Sequence, residues 1–222
     1  MYILTGQNAP GRASLERSVR AQPGDPETYL ILADQLYAQG RLIEAEALYD
    51  KAIRKLESYS QNQKRKRSFV IRARAGRAAV AAVRQDWPAA IDDLKEWIAA
   101  APDTGNAFHR LGRAQIMNGN AEEGVRSLTK AKELESSLPN PNVTAALLFE
   151  QLGDREQARR RFRQAIEADR TDLRSLVAYA QWLIQVGELE NSKKVLAEAR
   201  RLDPDSLEAL TLSGVVAKMG GK

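Results

Sequence analysis

The sequence predicts an all-α solenoid, a continuous stack of antiparallel helix pairs without separate domains. Three observations carry that expectation. First, Gly6, Gly40, Gly119, Gly153, Gly187 and Gly221 form a comb. With Gln85 standing in its one gap, five of the six steps are 34 residues and the sixth is 45. A fixed period in this range is the signature of stacked repeats. Second, a small residue precedes each tooth (Ala33, Ala78, Gly112, Ala146, Ala180, Gly214) and another follows it (Ala45, Ala90, Gly124, Ala158, Ser192). Third, a large apolar residue comes four positions later (Tyr49, Leu94, Leu128, Phe162, Leu196), and Ala52, Trp97, Ala131, Ala165 and Ala199 come three beyond that. Steps of three and four place these columns on one helix face. Small residues let two backbones approach and large ones fill the space beside them. Such a helix–turn–helix unit cannot bury its apolar face alone and needs neighbours.

Residues 1–25 read as a partial unit, because Tyr2 falls in the register of Leu36, Phe149 and Leu183, with Gly6 at the turn and Leu15 and Pro23 in the second helix. Asp25-Pro26 opens the first full unit, residues 26–70, proline being tolerated in a helix's first turn. This unit carries the one insertion, 11 residues from Ser58 to Ser68 reading SYSQNQKRKRS. Its length is close to three helical turns, and no proline or glycine interrupts Lys51 to Ala75, so lengthened helices are expected in preference to a loop. Full units follow at 71–104, 105–138, 139–172 and 173–206, and 207–222 forms a final single helix. Both ends stop mid-repeat. Solenoids normally carry polar caps, so the chain reads as a segment of a longer array, the alternative being a natural capping helix at Ser206–Met219.

The unit Tyr29, Leu32, Ala33, Leu36, Gly40, Ala45, Tyr49 and Ala52 resembles the tetratricopeptide repeat (TPR) family in residue type, spacing and period. Pro102 and Pro204 sit where that family often closes a unit, and the resemblance covers nearly the whole chain. Arg74 and Asn142 depart from it in place of an early aromatic, Gln85 in place of the turn glycine, and Glu57, Ser136 and Arg170 in place of the closing proline. The resemblance implies a right-handed superhelix whose first helices line a concave groove for a peptide segment or helix.

Composition bounds the function. Hydrophobic residues make up 43% and charged ones 28%, as in folded soluble chains. No run approaches the ~20 apolar residues of a membrane span. The N-terminus has no charged-then-apolar leader, so a cytoplasmic location is expected. The absence of cysteine excludes disulfides, thiol catalysis and cysteine-ligated metal, and His109, the single histidine, leaves little for a His-based site. No phosphate-binding glycine loop, dinucleotide motif or nucleophile elbow is present. The acidic pairs Asp92-Asp93 and Glu122-Glu123 fall early in second helices, where they complement the helix dipole. The chain is expected to be non-catalytic and to need neither cofactor nor metal.

By the resemblance, the groove row comprises Glu27, Leu30, Asp34 and Tyr37; Arg72, Ala75, Ala79 and Ala82; Asn106, His109, Arg113 and Ile116; Asn140, Val143, Leu147 and Glu150; Arg174, Val177, Gln181 and Ile184. The expected binding residues are Arg72, Asn106, His109, Arg113 and Asn140, with Tyr37 and Leu147 as apolar walls. Alanines in the second unit leave room there, and cations flank it, which suits a segment with acidic and apolar side chains. The family's chaperone-binding subset clamps a terminal carboxylate with basic and asparagine residues. Those places hold Leu30, Asp34, Gly76, Asn106 and Arg110, of which Arg110 alone agrees, so that clamp is rejected.

Two other readings stand beside the peptide groove. Lys64, Arg65, Lys66, Arg67, Arg72, Arg74 and Arg77 put seven cations into fourteen residues with no acid among them, and Lys64 to Arg67 form a candidate polyanion patch. A second cluster runs from Arg155 to Arg163. Few aromatics interleave with the first run, Tyr59 and Phe69 being its neighbours, so nucleic acid is the weaker partner. The net charge of +5 is a general pull toward acidic partners and equally the mark of a solvated basic surface. The third reading is a substrate-recruiting arm of a larger enzyme. Apolar positions in the last helix (Leu210, Leu212, Val215, Val216) offer self-association through an end of the array.

Overall fold

A computed structural model describes residues 24–220; the expectations for residues 1–23 and for Gly221 lie outside that range. The described residues form helices and no strand: α1 Pro26–Ala38, α2 Leu42–Glu57, α3 Gln63–Val83, α4 Trp87–Ala100, α5 Gly105–Met117, α6 Ala121–Leu134, α7 Pro141–Gln151, α8 Arg155–Ala168, α9 Leu173–Gln185, α10 Leu189–Leu202 and α11 Leu207–Gly220. Several helix starts carry side-chain caps, whereas those at Arg41, Thr104, Asn120 and Glu188 do not. Asp25 accepts from the Glu27 N–H at 3.0 Å, Asn62 from Arg65 at 2.9 Å and Asp154 from Gln157 at 3.0 Å, satisfying backbone donors that the first turn leaves unpaired.

The turns within helix pairs share one geometry. Gly40, Gly119, Gly153 and Gly187 have φ between 73° and 87°, and Gln85 adopts the same left-handed conformation at 60°. After each, the next N–H reaches back five residues: Arg41 to the Leu36 carbonyl at 2.9 Å, Asp86 to Ala81 at 2.9 Å, Asn120 to Gln115 at 2.8 Å. This closes the helix C-terminus and reverses the chain. Gln85 has no special side-chain excuse for its φ; it is exposed, and the turn simply imposes the conformation.

Within a pair, the small columns meet. A Cβ built on Gly112 would stand 2.6 Å from the Gly124 carbonyl oxygen, and one on Gly124 would stand 2.6 Å from that of Gly112, so α5 and α6 touch backbone to backbone. The large column fills the flanks. Tyr49, Leu128, Phe162 and Leu196 are buried, and Phe162 stacks with Tyr179 and Trp182 at centroid distances of 5.2 and 5.4 Å.

The insertion lengthens helices, but with a break. α2 has 16 residues and α3 has 21, against 13 for α1, α5 and α9, and residues 58–62 link the two. Asn62 caps α3, and Tyr59 folds back edge-on to Phe69 at 5.9 Å, both rings buried.

The basic run of α3 is not a free cationic surface. Its side chains fan out to acids and carbonyls that the stack brings in from α1, α2 and α4. Arg65 pairs with Glu27, Arg72 with Asp34, Arg74 with Asp93 and Arg77 with both Asp93 and Asp50. Arg67 donates to the Ala100 carbonyl at 2.5 Å. Asp93 is buried, one oxygen 2.9 Å from Arg74 Nη1 and the other 2.7 Å from Arg77 Nε, so α3 and α4 are fastened through one carboxylate. These hydrogen bonds hold the Arg77 guanidinium proton more firmly than usual.

Two stability measurements check this account. Gln85→Gly is expected to raise the unfolding free energy by about 1 kcal/mol, because a side chain in the left-handed region is strained; an unchanged urea midpoint would refute the strain. Asp93→Asn is expected to cost about 3 kcal/mol by removing the buried carboxylate that two partly buried guanidiniums share, whereas Glu96→Gln, at an exposed carboxylate 3.8 Å from Arg74, is expected to cost about 0–1 kcal/mol.

Candidate functional site

Each second helix packs on the first helix of the next pair, and successive first helices also pack on one another: α1 on α3, α5 on α7, α7 on α9, α9 on α11. Successive second helices do not. The first helices therefore lie on the inner side of the stack.

One successive pair of first helices breaks this rule. α3 and α5 do not pack closely, and a cleft of about 320 Å³ opens between them. Ala78, Ala79, Ala82 and Val83 form one wall, Arg110, Arg113, Ala114 and Met117 the other. Trp87 and Leu94 of α4 form part of the lining, together with Tyr37, Leu148 and Gln151 from the neighbouring first helices. The alanines explain the gap: methyl groups face α5 where longer side chains would have to interdigitate.

The expected site residues divide on this geometry. Tyr37 and Arg113 line the cleft, as do Ala79 and Ala82 of the wider row. Leu147 is half exposed on α7 beside the cleft residue Leu148, and Asn106 is exposed in the first turn of α5. Three expectations need correction. Arg72 is not a free groove cation, since its Nε and Nη2 donate to Asp34 Oδ2 at 2.8 and 2.5 Å and Asp34 also accepts from the Tyr49 hydroxyl at 2.5 Å. Asn140 uses its side-chain oxygen to cap α7, accepting from the Asn142 N–H at 3.0 Å. Leu30, Ile116 and Val143 are buried in the core, covered by neighbouring helices, and line nothing.

Cleft residues absent from the expected row include Trp87, Leu94, Arg110, Met117 and Leu148. Trp87 and Leu94 belong to a second helix, and a search restricted to first helices passes over them. The signal was in the alanines, which marked missing volume without marking its walls.

The charged residues lining the cleft are both arginines. Arg110 is held, its guanidinium 5.6 Å over the Trp97 ring and Nη1 3.4 Å from the Ala75 carbonyl. Arg113 is exposed and has no carboxylate partner among the described residues. Nearby, His109 is half-buried with an unpaired Nε2. Burial, then the charges of Arg113 and Arg110, push its pKa below 6.5 against the opposing pull of Glu135. His109 is thus neutral at pH 7 and adds no charge to the groove.

In the candidate polyanion patch, Lys64 is exposed without a partner among the described residues. Arg65 pairs with Glu27, Lys66 Nζ stands 3.5 Å from the Glu57 carbonyl and Arg67 is bonded to Ala100. The cluster on α8 is similarly engaged: Arg155 with Glu150, Arg159 with Glu188 and Arg161 with Glu122. Among the described residues no group of three or more His, Asp or Glu could hold a metal ion, and no helix is long and apolar enough to cross a membrane.

Comparison with known proteins agrees with this architecture. Two family models, both described as tetratricopeptide repeat, match residues 5–61 and 150–214. The TPR repeat-containing protein YpiA of Bacillus subtilis (strain 168) is 25% identical over 186 residues, covering 82% of this chain and 43% of that protein; the chain spans less than half the length of this relative. Among solved structures, a tetratricopeptide repeat protein from Parabacteroides merdae ATCC 43184 superposes with a TM-score of 0.62 at 17% identity, over 99% of this chain and 82% of that one. MamA (41-end) from Desulfovibrio magneticus RS-1 gives 0.60 at 20% identity over 77% and 90%. YrrB, described as a TPR protein with an unusual peptide-binding site, gives 0.54 at 20% identity over 90% and 97%. At these identities the structures speak for the fold.

His109 yields a pH prediction. Its folded pKa lies below the unfolded 6.5, so the unfolded chain takes up the proton first. The histidine's contribution is complete above pH ~6.5 and is lost as pH falls through that value toward the folded pKa. Melting temperatures of the native chain and of His109→Gln, compared from about pH 7.5 to about pH 5, are expected to move in the variant's favour as pH falls. A difference independent of pH would contradict the burial of the imidazole.

Proposed function

The chain belongs to the tetratricopeptide repeat family, and we propose that this stretch of it is a non-catalytic binding module, holding an acidic segment of another protein along the inner face of the first helices. The observation that carries this reading is the cleft between α3 and α5, with its apolar walls and with arginine as its one kind of charge. Arg113 is the central contact, because its guanidinium is exposed and unspent. Charge-assisted hydrogen bonds from arginine to carboxylate are among the stronger polar contacts, and orient what they hold. The exposed Asn106 and Leu147 extend the proposed surface, and Tyr37 is part of the cleft lining. The fold relationship to YrrB, described as having a peptide-binding site, supports the same use of the scaffold. A recruiting role beside a catalytic domain would use the same groove.

Lys64 keeps polyanion binding as the second reading; the engaged state of Arg65, Lys66 and Arg67 ranks it lower. Self-association is a subordinate proposal. Leu207, Leu210, Val215 and Met219 of α11 are exposed, whereas Val216 is buried and Leu212 is partly buried against the same cluster.

Affinity capture from nuclease-treated native lysate tests the main reading. The tagged chain is expected to retain a discrete protein, and Arg113→Glu to lose it while keeping the native melting temperature. Arg160→Glu, an exposed arginine on α8, is expected to leave capture unchanged. Capture that survives Arg113→Glu would remove the cleft from the interface, and loss of all retained material on nuclease treatment would favour the polyanion reading.

A further inference from the structure

The cleft's shape restricts what an acidic segment must carry. An open cleft of about 320 Å³ lies between α3 and α5, roomier than a backbone or a carboxylate requires. Ala78, Trp87, Leu94 and Leu148 give it apolar lining. Its charge lies at Arg110 and Arg113, with no acid among the lining residues. An apolar recess fringed by unopposed positive charge is complementary to a bulky apolar side chain flanked by carboxylates. A carboxylate alone would leave the recess hydrated, and a bulky apolar group alone would leave Arg113 unpaired.

We infer that this cleft is a specificity pocket for one large apolar side chain, tryptophan or leucine in class, presented by an acidic segment, and that Ala79 and Ala82 determine the selection. The inference rests on the groove reading above and adds to it the identity of the anchoring side chain. Larger residues at either alanine fill the pocket from the α3 side, and Met117 bounds it from the α5 side. Burying such a side chain supplies about 1.5–3 kcal/mol, which corresponds to about tenfold or more in affinity.

The probes are short fluorescein-labelled peptides of glutamate, serine and glycine, identical except for one central guest: tryptophan, leucine or alanine. Binding to the full chain is read by fluorescence anisotropy. The tryptophan and leucine guests are expected to bind about tenfold or more tightly than the alanine guest. Ala82→Leu is expected to abolish that advantage while leaving the alanine-guest affinity within about twofold. Arg113→Glu is expected to weaken all three peptides together. Should Ala82→Leu melt at a lower temperature than the native chain, Met117→Ala provides the independent arm, widening the pocket and raising the preference for tryptophan over leucine. Equal affinity for the three guests, or an advantage unaffected by both variants, overturns the inference and leaves the groove reading in place. Failure of every peptide to bind overturns both.

Discussion

The close approach of paired helix backbones governs this structure. Between α5 and α6 it reaches the limit, with Gly112 and Gly124 each occupying space that a Cβ would take from the other's carbonyl. Elsewhere alanine serves, as at Ala33 with Ala45 and Ala146 with Ala158, all fully buried. That approach fixes the angle of each pair, the left-handed turn residue closes it, and the large column has one space left to fill. Once pairs are fixed, stacking places first helices inside, and the position of every inner side chain follows. The cleft arises within this regular frame: α3 presents methyl groups where its counterparts present longer side chains.

Polar fastening is a second layer laid over the packing. Tyr49 lies across Gly76, where any side chain would collide with its ring, and its hydroxyl reaches Asp34, which in turn holds Arg72. Burial and the adjoining carboxylate both raise the Tyr49 pKa, keeping the phenol a neutral donor. At the other end of α3, Asp93 joins Arg74 and Arg77. Arginine suits this work because its fork of donors can reach two acceptors without losing planarity. Removing one partner of such a pair costs more than the intact pair contributes.

The fold was legible because it is written in local spacing. A turn glycine every 34 residues, with small and large columns in phase, encodes pairs and their stacking without long-range information. Even Gln85 was legible by position, and it takes the backbone conformation of the glycines it replaces. The site was legible only in part. That Arg113 and Tyr37 line the cleft was within reach of the sequence, because the inner row of a helix is periodic. Arg72 was misjudged because its partner, Asp34, lies 38 residues earlier, and local spacing carries no record of such a pair. The same holds for the basic run, free of acids along the chain and surrounded by them in space. Leu30, Ile116 and Val143 show a related gap, since period identifies a helix face but not which part of it a neighbour covers. The separation of α3 from α5 depends on how whole pairs settle together and leaves no periodic trace.

That separation has a mechanical meaning. Along the inner edge of the stack, every other joint between first helices is stiffened by interlocking side chains, and interlocked joints resist bending. The joint between α3 and α5 depends mainly on α4, which packs against both, with Arg110 reaching across to the Ala75 carbonyl. Fewer direct contacts make such a joint cheaper to bend than one at which first helices pack on each other. Whatever fills the cleft also props that joint, so occupancy and curvature are two readings of one equilibrium.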